Sequence, residues 1–273
     1  MMYICLLTGC ANGIGLYLTD VLLRKGHCVV ATDIDETQLR RAAAERGWPP
    51  DRHRLLKLDV TCASDWQQAL DEVMSSWGRL DIGMNIAGVI RPGYVAKFPP
   101  EDIDFMVDIN LKGVMLGTRL MAEAMIPQRF GQIVNIASLA GVAPIEGLAV
   151  YSATKAAVRF FSLAAASELN RHRVGVSVVC SDVVDTNMFR QQLPHEAAAL
   201  TFSGDRILTV EEVCQTILRE ALERKRAEIL IPPGRGWLAK LGNLFPETAR
   251  HLTERLRKRG NEKRMSLNRD SGD

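Results

Sequence analysis

In the segment ASLAGVAPIEGLAVYSATK, Tyr151 and Lys155 lie thirteen and seventeen residues beyond Ser138. A four-residue step on a helix sets the tyrosine and lysine on one face. There an ammonium can depress the pKa of a phenol, about 10 when unperturbed. Bringing it to about 7 takes about 4 kcal/mol of preferential phenolate stabilisation, which a lysine with a second positive charge beside it can supply. The Ser138 hydroxyl, delivered from the end of an apolar strand, can hydrogen-bond the oxygen of an alcohol or carbonyl. Together the three residues form a candidate acid/base centre. Tyr-x-x-x-Lys also occurs in ordinary amphipathic helices, so its meaning rests on the elements that position it.

The first of these lies at the N-terminus. YICLL, residues 3–7, has the pattern of a buried strand and runs into TGCANGIG and the helical stretch LYLTDVLLRKG. Gly9, Gly13 and Gly15 allow a tight turn and a close backbone approach to a pyrophosphate, and the helix N-terminus offers free N–H groups and positive potential. The next strand, CVVAT, ends at Asp33, eighteen residues beyond Gly15, where a dinucleotide's adenosine ribose belongs. Its carboxylate can accept both ribose hydroxyls and repels a 2′-phosphate, and neither Asn12 nor Ile34 supplies a compensating cation. NAD is therefore expected over NADP. The competing role for Asp33, capping the helix DETQLRRAAAERG, is one that Asp35 fills equally well.

Further along, RLLKL leads into Asp59 and Val60, and LDIGMNIAG ends in Asn85, Ala87 and Gly88, where small residues leave room for the adenosine. A helix is expected from about Asp102 to Met125, carrying Asn110, followed by the strand GQIVNIAS, which delivers Ser138. The helix YSATKAAVRFFSLAAASELN and the strand VGVSVVC come next. Strand alternating with helix specifies an α/β fold of three layers, a doubly wound parallel, Rossmann-like sheet with right-handed crossovers. Residues 1–232 read as one such domain. Residues 233–273 read as an amphipathic, basic extension with a disordered end.

These residues, in this order, resemble the short-chain dehydrogenase/reductase family over roughly residues 2–232. The motifs are T-G-x-x-x-G-I-G at 8–15, Asp59, N-x-A-G at 85–88, Asn110, Ser138 and Y-x-x-x-K at 151–155. The resemblance implies Tyr151 as acid/base, Lys155 lowering its pKa while binding the nicotinamide ribose, Ser138 orienting the substrate oxygen, and Asn110 holding a water in a proton relay from Lys155. It implies cofactor contacts from Thr8, Gly9, Asn12, Gly13, Ile14, Gly15, Asp33, Asp59, Val60, Asn85, Ala87, Gly88, Val184 and Thr186, besides Tyr151 and Lys155. Oxidation would then pass the alcohol proton to Tyr151 and the carbon-bound hydrogen, as hydride, to the nicotinamide. Two departures stand out: Ser181 and Asp182 occupy the place of a usual Pro-Gly after strand six, and Ile86 replaces a frequent asparagine.

Bulk properties narrow the remaining possibilities. The chain has 273 residues, 47% of them apolar, and a net charge of +2, enough to bury a large core and too small a charge to imply nucleic-acid binding. From Arg235 onward, however, ten Lys or Arg face five acids. The six cysteines show no C-x-x-C pair and read as reduced thiols; Cys10, in the glycine turn, reads as an unreactive small residue, with an oxidisable thiol the alternative. None of the five histidines has metal-ligand spacing, so no metal is expected. MMYICLL lacks the basic start of a targeting segment, and no stretch approaches the roughly 20 apolar residues that span a bilayer. A cytoplasmic location is expected.

Three loops, 89–98, 139–147 and 187–202, are expected to build the substrate pocket, with Ile90, Val142, Ile145, Met188, Phe189, Leu193 and Phe202 as lining or packing residues. Beyond EILIPP, the spacing of Trp237, Leu238, Leu241, Leu244 and Phe245 suits an amphipathic helix that covers the pocket, rests on an anionic membrane surface or packs on the body. The leading expectation is a lipophilic secondary alcohol or ketone, steroid-like or long-chain. A 3-oxoacyl-thioester reductase using NADPH is one alternative, and a catalytically quiet NAD-sensing or scaffold protein is another. Apolar surface on the helices around 102–125 and 151–170 implies, by the same resemblance, a homodimer or homotetramer.

Overall fold

Residues 1–244 and 246–270 are described by the structure, a computed structural model. Seven strands, β1 (Ile4–Thr8), β2 (Cys28–Asp33), β3 (His53–Lys57), β4 (Ile82–Asn85), β5 (Gly131–Ile136), β6 (Val174–Ser181) and β7 (Glu228–Ile231), form one sheet in the order β3-β2-β1-β4-β5-β6-β7. Every pairing is parallel. The order reverses between β1 and β4, and ligands of such sheets bind in the crevice at the strands' carboxyl ends beside that point.

Strand periodicity sorts the core into two faces. Cys5 and Leu7 of β1 pack with Leu18 and Leu22 of α1 (Gly13–Arg24), Leu39 of α2 (Glu36–Arg46) and Val213 and Ile217 of α8 (Val210–Ile217). Ile4 and Leu6, pointing the other way, meet Trp66 and Leu70 of α3 (Ala63–Trp77) and Met121 and Met125 of α5 (Gly113–Gln128). The result is the doubly wound, three-layered α/β fold, with α4 (Pro100–Val107), α6 (Ala149–Asn170) and the short α7 (Asn187–Gln192) completing the ends around the crevice.

Two elements differ from the expected pattern. The helix read as 102–125 extends from α4 through α5 and contains a π-helical turn at Asp108–Lys112 that carries Asn110. Such turns insert an extra residue into the helical ladder and recur at functional sites. The extension forms α9 (Pro233–Leu244) and α10 (Pro246–Asp270). Trp237, Leu238, Leu241 and Leu244 do not cover the pocket; they are 60, 69, 55 and 70% exposed. Phe245, read with them, lies outside the described residues. It is α10 that reaches toward the pocket, packing on the 3-10 helical segment Glu196–Ser203, where Leu267 joins Phe189, Leu193, Ala198 and Phe202. There Arg264, buried, donates from Nη1 to the Leu193 carbonyl (2.5 Å), and Lys263 donates to the Gly204 carbonyl (2.8 Å).

Candidate active site

A cavity of about 680 Å³ opens at the carboxyl ends of the central strands. Its floor is the turn from β1 to α1. Gly9 (φ 70°) and Gly13 (φ 56°) are left-handed, which side-chain-bearing residues adopt rarely, and a Cβ on Gly9 would stand 3.0 Å from the Ala87 backbone. Asn12 makes no side-chain cap, and Gly13, Ile14 and Gly15, in the turn whose N–H groups have no intrahelical acceptor, line the cavity. At the far end Asp33 is held by two backbone donors: its Oδ2 accepts from the Ala11 N–H (2.9 Å) and its Oδ1 from that of Asp35 (3.0 Å). Asp35, not Asp33, caps α2, accepting from the Gln38 N–H at 2.9 Å. Among the described residues lining the cavity, Arg91 and Lys155 are the only cations, and none lies beside Asp33 in the lining formed by Ile34 and Gln38. The uncapped helix start and the side-chain-free turn fit a pyrophosphate, and the Asp33 carboxylate fits the hydroxyls of a ribose.

At the other end stand the three residues of the acid/base reading. Tyr151, Lys155 and Ser138 all line the cavity. Lys155 is buried, its Nζ donates to the Ile136 carbonyl at the end of β5 (3.0 Å), and it lies 5.7 Å from the centre of the Tyr151 ring. A Cβ on Gly88 would come within 3.4 Å of that Nζ and 3.2 Å of Asn110 Oδ1. Burial pushes the Tyr151 phenol up to about 12, offset in part by the nearby Ser138 hydroxyl. Burial also brings the Lys155 ammonium down to about 8. In the chain alone the phenol is therefore raised, not lowered, and the lowering expected from the spacing, which counted a second positive charge beside Lys155, has only the lysine here. Ser138 Oγ meanwhile donates to the Ser181 carbonyl (3.4 Å) and accepts from the Ala140 N–H (3.1 Å).

Other expected site residues separate into those in the cavity wall and those behind it. Asn12, Ile14, Gly15, Asp59, Val60, Ala87, Gly88, Val184 and Thr186 are in the wall. Thr8 and Asn85 are not: Thr8 Oγ1 accepts from the Ile86 and Ala87 N–H groups (3.0 and 3.2 Å), and Asn85 Nδ2 donates to Asn135 Oδ1 (2.8 Å). Both fix the β4 end from beneath. Asn110 is also set back, its side chain clasping Val89 through Oδ1 from the N–H and Nδ2 to the carbonyl, each 2.8 Å. Of the apolar loop residues, Ile90, Ile145, Met188 and Phe189 line the cavity, while Val142, Leu193 and Phe202 are packed away from it. Cys10 is fully buried and its thiol is pushed up to about 12 by that burial, which leaves it unreactive.

Several wall residues escaped sequence reasoning. Gln192 and Thr201 are buried polar residues whose Oε1 and Oγ1 have no partner. Asp182, which stands where a glycine was expected, lines the cavity and pairs with Arg235 of α9 at 2.6 Å. The pair ties the loop after β6 to the C-terminal extension, a restraint in place of the absent proline. Arg235→Ala should cost about 1–3 kcal/mol in thermal or denaturant unfolding, since it leaves the largely buried Asp182 without its partner; Asp182→Ala should cost less, because the Arg235 side chain is 35% exposed. The double substitution should cost little more than Arg235→Ala alone; simple additivity would deny the coupling. No cluster of three or more potential metal ligands occurs among the described residues, and no described helix is long and apolar enough to cross a membrane.

Comparison with known proteins adds kinship to this geometry. A sequence profile of the short chain dehydrogenase family matches residues 3–197. The 3-oxoacyl-[acyl-carrier-protein] reductase of Thermotoga maritima is 33% identical over 218 residues, 79% of this chain and 88% of that one. The cyclopentanol dehydrogenase of Comamonas testosteroni is 34% identical over 205 residues, 75% of this chain and 82% of its own. Among solved structures, a short chain dehydrogenase/reductase from Burkholderia phymatum in complex with NAD superimposes with a TM-score of 0.81 at 22% identity, covering 91% of this chain and 95% of that one.

Proposed function

The chain belongs to the short-chain dehydrogenase/reductase family, and on that premise we propose that it is an NAD-dependent oxidoreductase interconverting a lipophilic secondary alcohol and its ketone. The observation that carries this reading is one cavity holding both halves of the chemistry: an anion-binding turn with Asp33 at one end and Tyr151, Lys155 and Ser138 at the other. A bound nicotinamide would supply the hydride acceptor, with a positive ring, for oxidation and the hydride donor, with a neutral ring, for reduction. The chain's own residues do the rest. Ser138 orients the substrate oxygen, Tyr151 Oη takes or returns its proton, and Lys155 supplies the ammonium that makes the phenolate accessible. Asn110, by holding Val89, fixes the loop that walls the Lys155 side.

The substrate end favours an oily molecule: Ile90, Phe105, Ile145, Leu148, Met188 and Phe189 dominate it. Gln192 Oε1 and Thr201 Oγ1 leave unmet hydrogen-bonding capacity in the same wall, which favours a substrate with a second polar group remote from the carbinol. Exposed Ile103, Phe105, Met115 and Phe160 on α4, α5 and α6 support a homo-oligomer. The free, mostly buried cysteines suit a reducing, cytoplasmic setting.

The test is NADH formation from NAD with secondary alcohols graded from short chains to hydroxysteroids. Rates should rise with apolar size, with NADP a poor substitute. Asp33→Ser should improve NADP relative to NAD by about tenfold, or about 1.4 kcal/mol, by removing the charge that repels a 2′-phosphate. Activity confined to NADP(H) and 3-oxoacyl thioesters would replace this reading with that of a thioester reductase. Absence of turnover across the panel would favour a quiet nucleotide-binding protein.

A further inference from the structure

Helix α9 rests on the sheet through one side only. Gly236 is its buried residue, where a Cβ would stand 2.4 Å from that of Leu230, and Ala239 packs on the cluster that contains Val178 and Cys180. Lys240, on the same side, pairs with Glu228 of β7. At 100° per residue, Trp237, Leu238, Leu241 and Leu244 fall within an arc of about 120° centred away from Gly236 and Ala239, with no charged residue inside it; Lys240 borders it, its ammonium 4.8 Å from the centre of the Trp237 ring. All four are more than half exposed. A row of four large apolar side chains on one short helix exceeds the scattered exposure normal for a protein surface and marks a contact face.

Charge decides among the possible occupants. From Arg235 onward the chain carries ten basic and five acidic residues, and even after Arg235, Lys240 and Arg259 are paired with Asp182, Glu228 and Asp205 of the body the extension keeps seven cations against five acids. Helix α10 packs against α9 and presents Arg255 and Lys258 to solvent. A second copy docked symmetrically on this face would set one net-positive end against another. A lipid surface bearing anionic headgroups meets both features at once, apolar side chains entering the headgroup boundary and cations above it.

We propose that the exposed face of α9 docks this protein onto anionic phospholipid surfaces. The helix lines no part of the cavity but is tied to its wall: Arg235, in the first turn of α9, is paired with cavity-lining Asp182. Docking therefore brings the Asp182 side of the cavity toward the lipid, the phase in which lipophilic alcohols concentrate. The docking itself does not depend on the proposed reaction.

Flotation of the full chain with vesicles of phosphatidylcholine, alone or mixed with phosphatidylglycerol, tests this without any turnover assay. Binding is expected to the mixed vesicles, to weaken as salt rises, and to fall at least about tenfold in Leu241→Glu/Leu244→Glu, whose substitutions lie at solvent-exposed positions. The Trp237 emission should shift to the blue on binding, with Trp237→Phe identifying its share. No binding to the mixed vesicles at low salt, or equal binding by the glutamate variant, overturns the proposal. Vesicle-free dimerisation abolished by the same two glutamates, with no flotation, would assign the face to a second copy instead.

Discussion

Tyr151→Phe is expected to lower kcat by about 10²–10⁴-fold, the range over which a positioned acid/base acts, while leaving NADH affinity, followed by its fluorescence, nearly unchanged. The phenyl ring keeps the packing of a side chain only 8% exposed and beside Leu148 and Ala140; what is lost is one hydroxyl facing Ser138. The pH dependence separates this from a structural effect. Alcohol oxidation needs the phenol without its proton, so its kcat/KM rises with pH; burial in the chain alone holds that phenol up at about 12, and the positive ring of bound NAD brings the rise to lower pH. Above about 8 the rise is checked, because Lys155 then sheds the charge that favours phenolate. Ketone reduction needs the proton present, and the contribution of Tyr151 runs the opposite way. Both dependences on Tyr151 vanish in the phenylalanine variant. A variant with wild-type kcat and an unaltered pH profile would remove Tyr151 from the chemistry.

Much of this was legible in local pattern. The strand, glycine turn and helix at 3–24 and the four-residue step of Tyr151 and Lys155 are carried by short-range spacing, and the fold keeps such spacing because α1 and α6 are regular. Side-chain depth was less legible. Val142, Leu193 and Phe202 have the same apolar character as Ile145, Met188 and Phe189, and only the three-dimensional path of the loops decides which of them face the cavity. Asn110 is similar: its motif position was evident, but the π-helical turn that carries it and its clasp on Val89 depend on tertiary contacts. Least legible were the long-range tethers. Asp182 with Arg235, and Arg264 with the Leu193 carbonyl, join residues 53 and 71 positions apart, and neither partner has any neighbouring residue that announces the other. The extension, read by composition as amphipathic and basic, contains a buried arginine, Arg264, for that reason.

Gly260→Leu should lower kcat/KM for the preferred alcohol by up to about 100-fold, the scale of a displacement near 1 Å in a positioned site, chiefly through KM. Gly260 is where α10 comes closest to the segment Glu196–Ser203: a Cβ there would meet the Ala199 carbonyl oxygen at 2.0 Å and the Ser203 nitrogen at 3.1 Å. Backbone atoms cannot yield as a flexible side-chain tip would, so a leucine must lever the helix away. Arg264 and Leu267, the next turns of the same helix, then lose their hold on Leu193 and on the cluster of Phe189 and Phe202. Phe189, Gln192 and Thr201 of the lever's target line the substrate end of the cavity, whereas the glycine turn and Asp33 lie at the other. NADH affinity should therefore hold while substrate affinity falls, and limited proteolysis should cut within 187–203 sooner than in the parent chain. Arg259→Ala is the matched control, because its pair with Asp205 is 58% and 92% exposed and such pairs contribute about 0–1 kcal/mol. If Gly260→Leu lowered thermal stability but left KM and proteolysis unchanged, α10 would be a stabilising strut with no hold on the substrate loop.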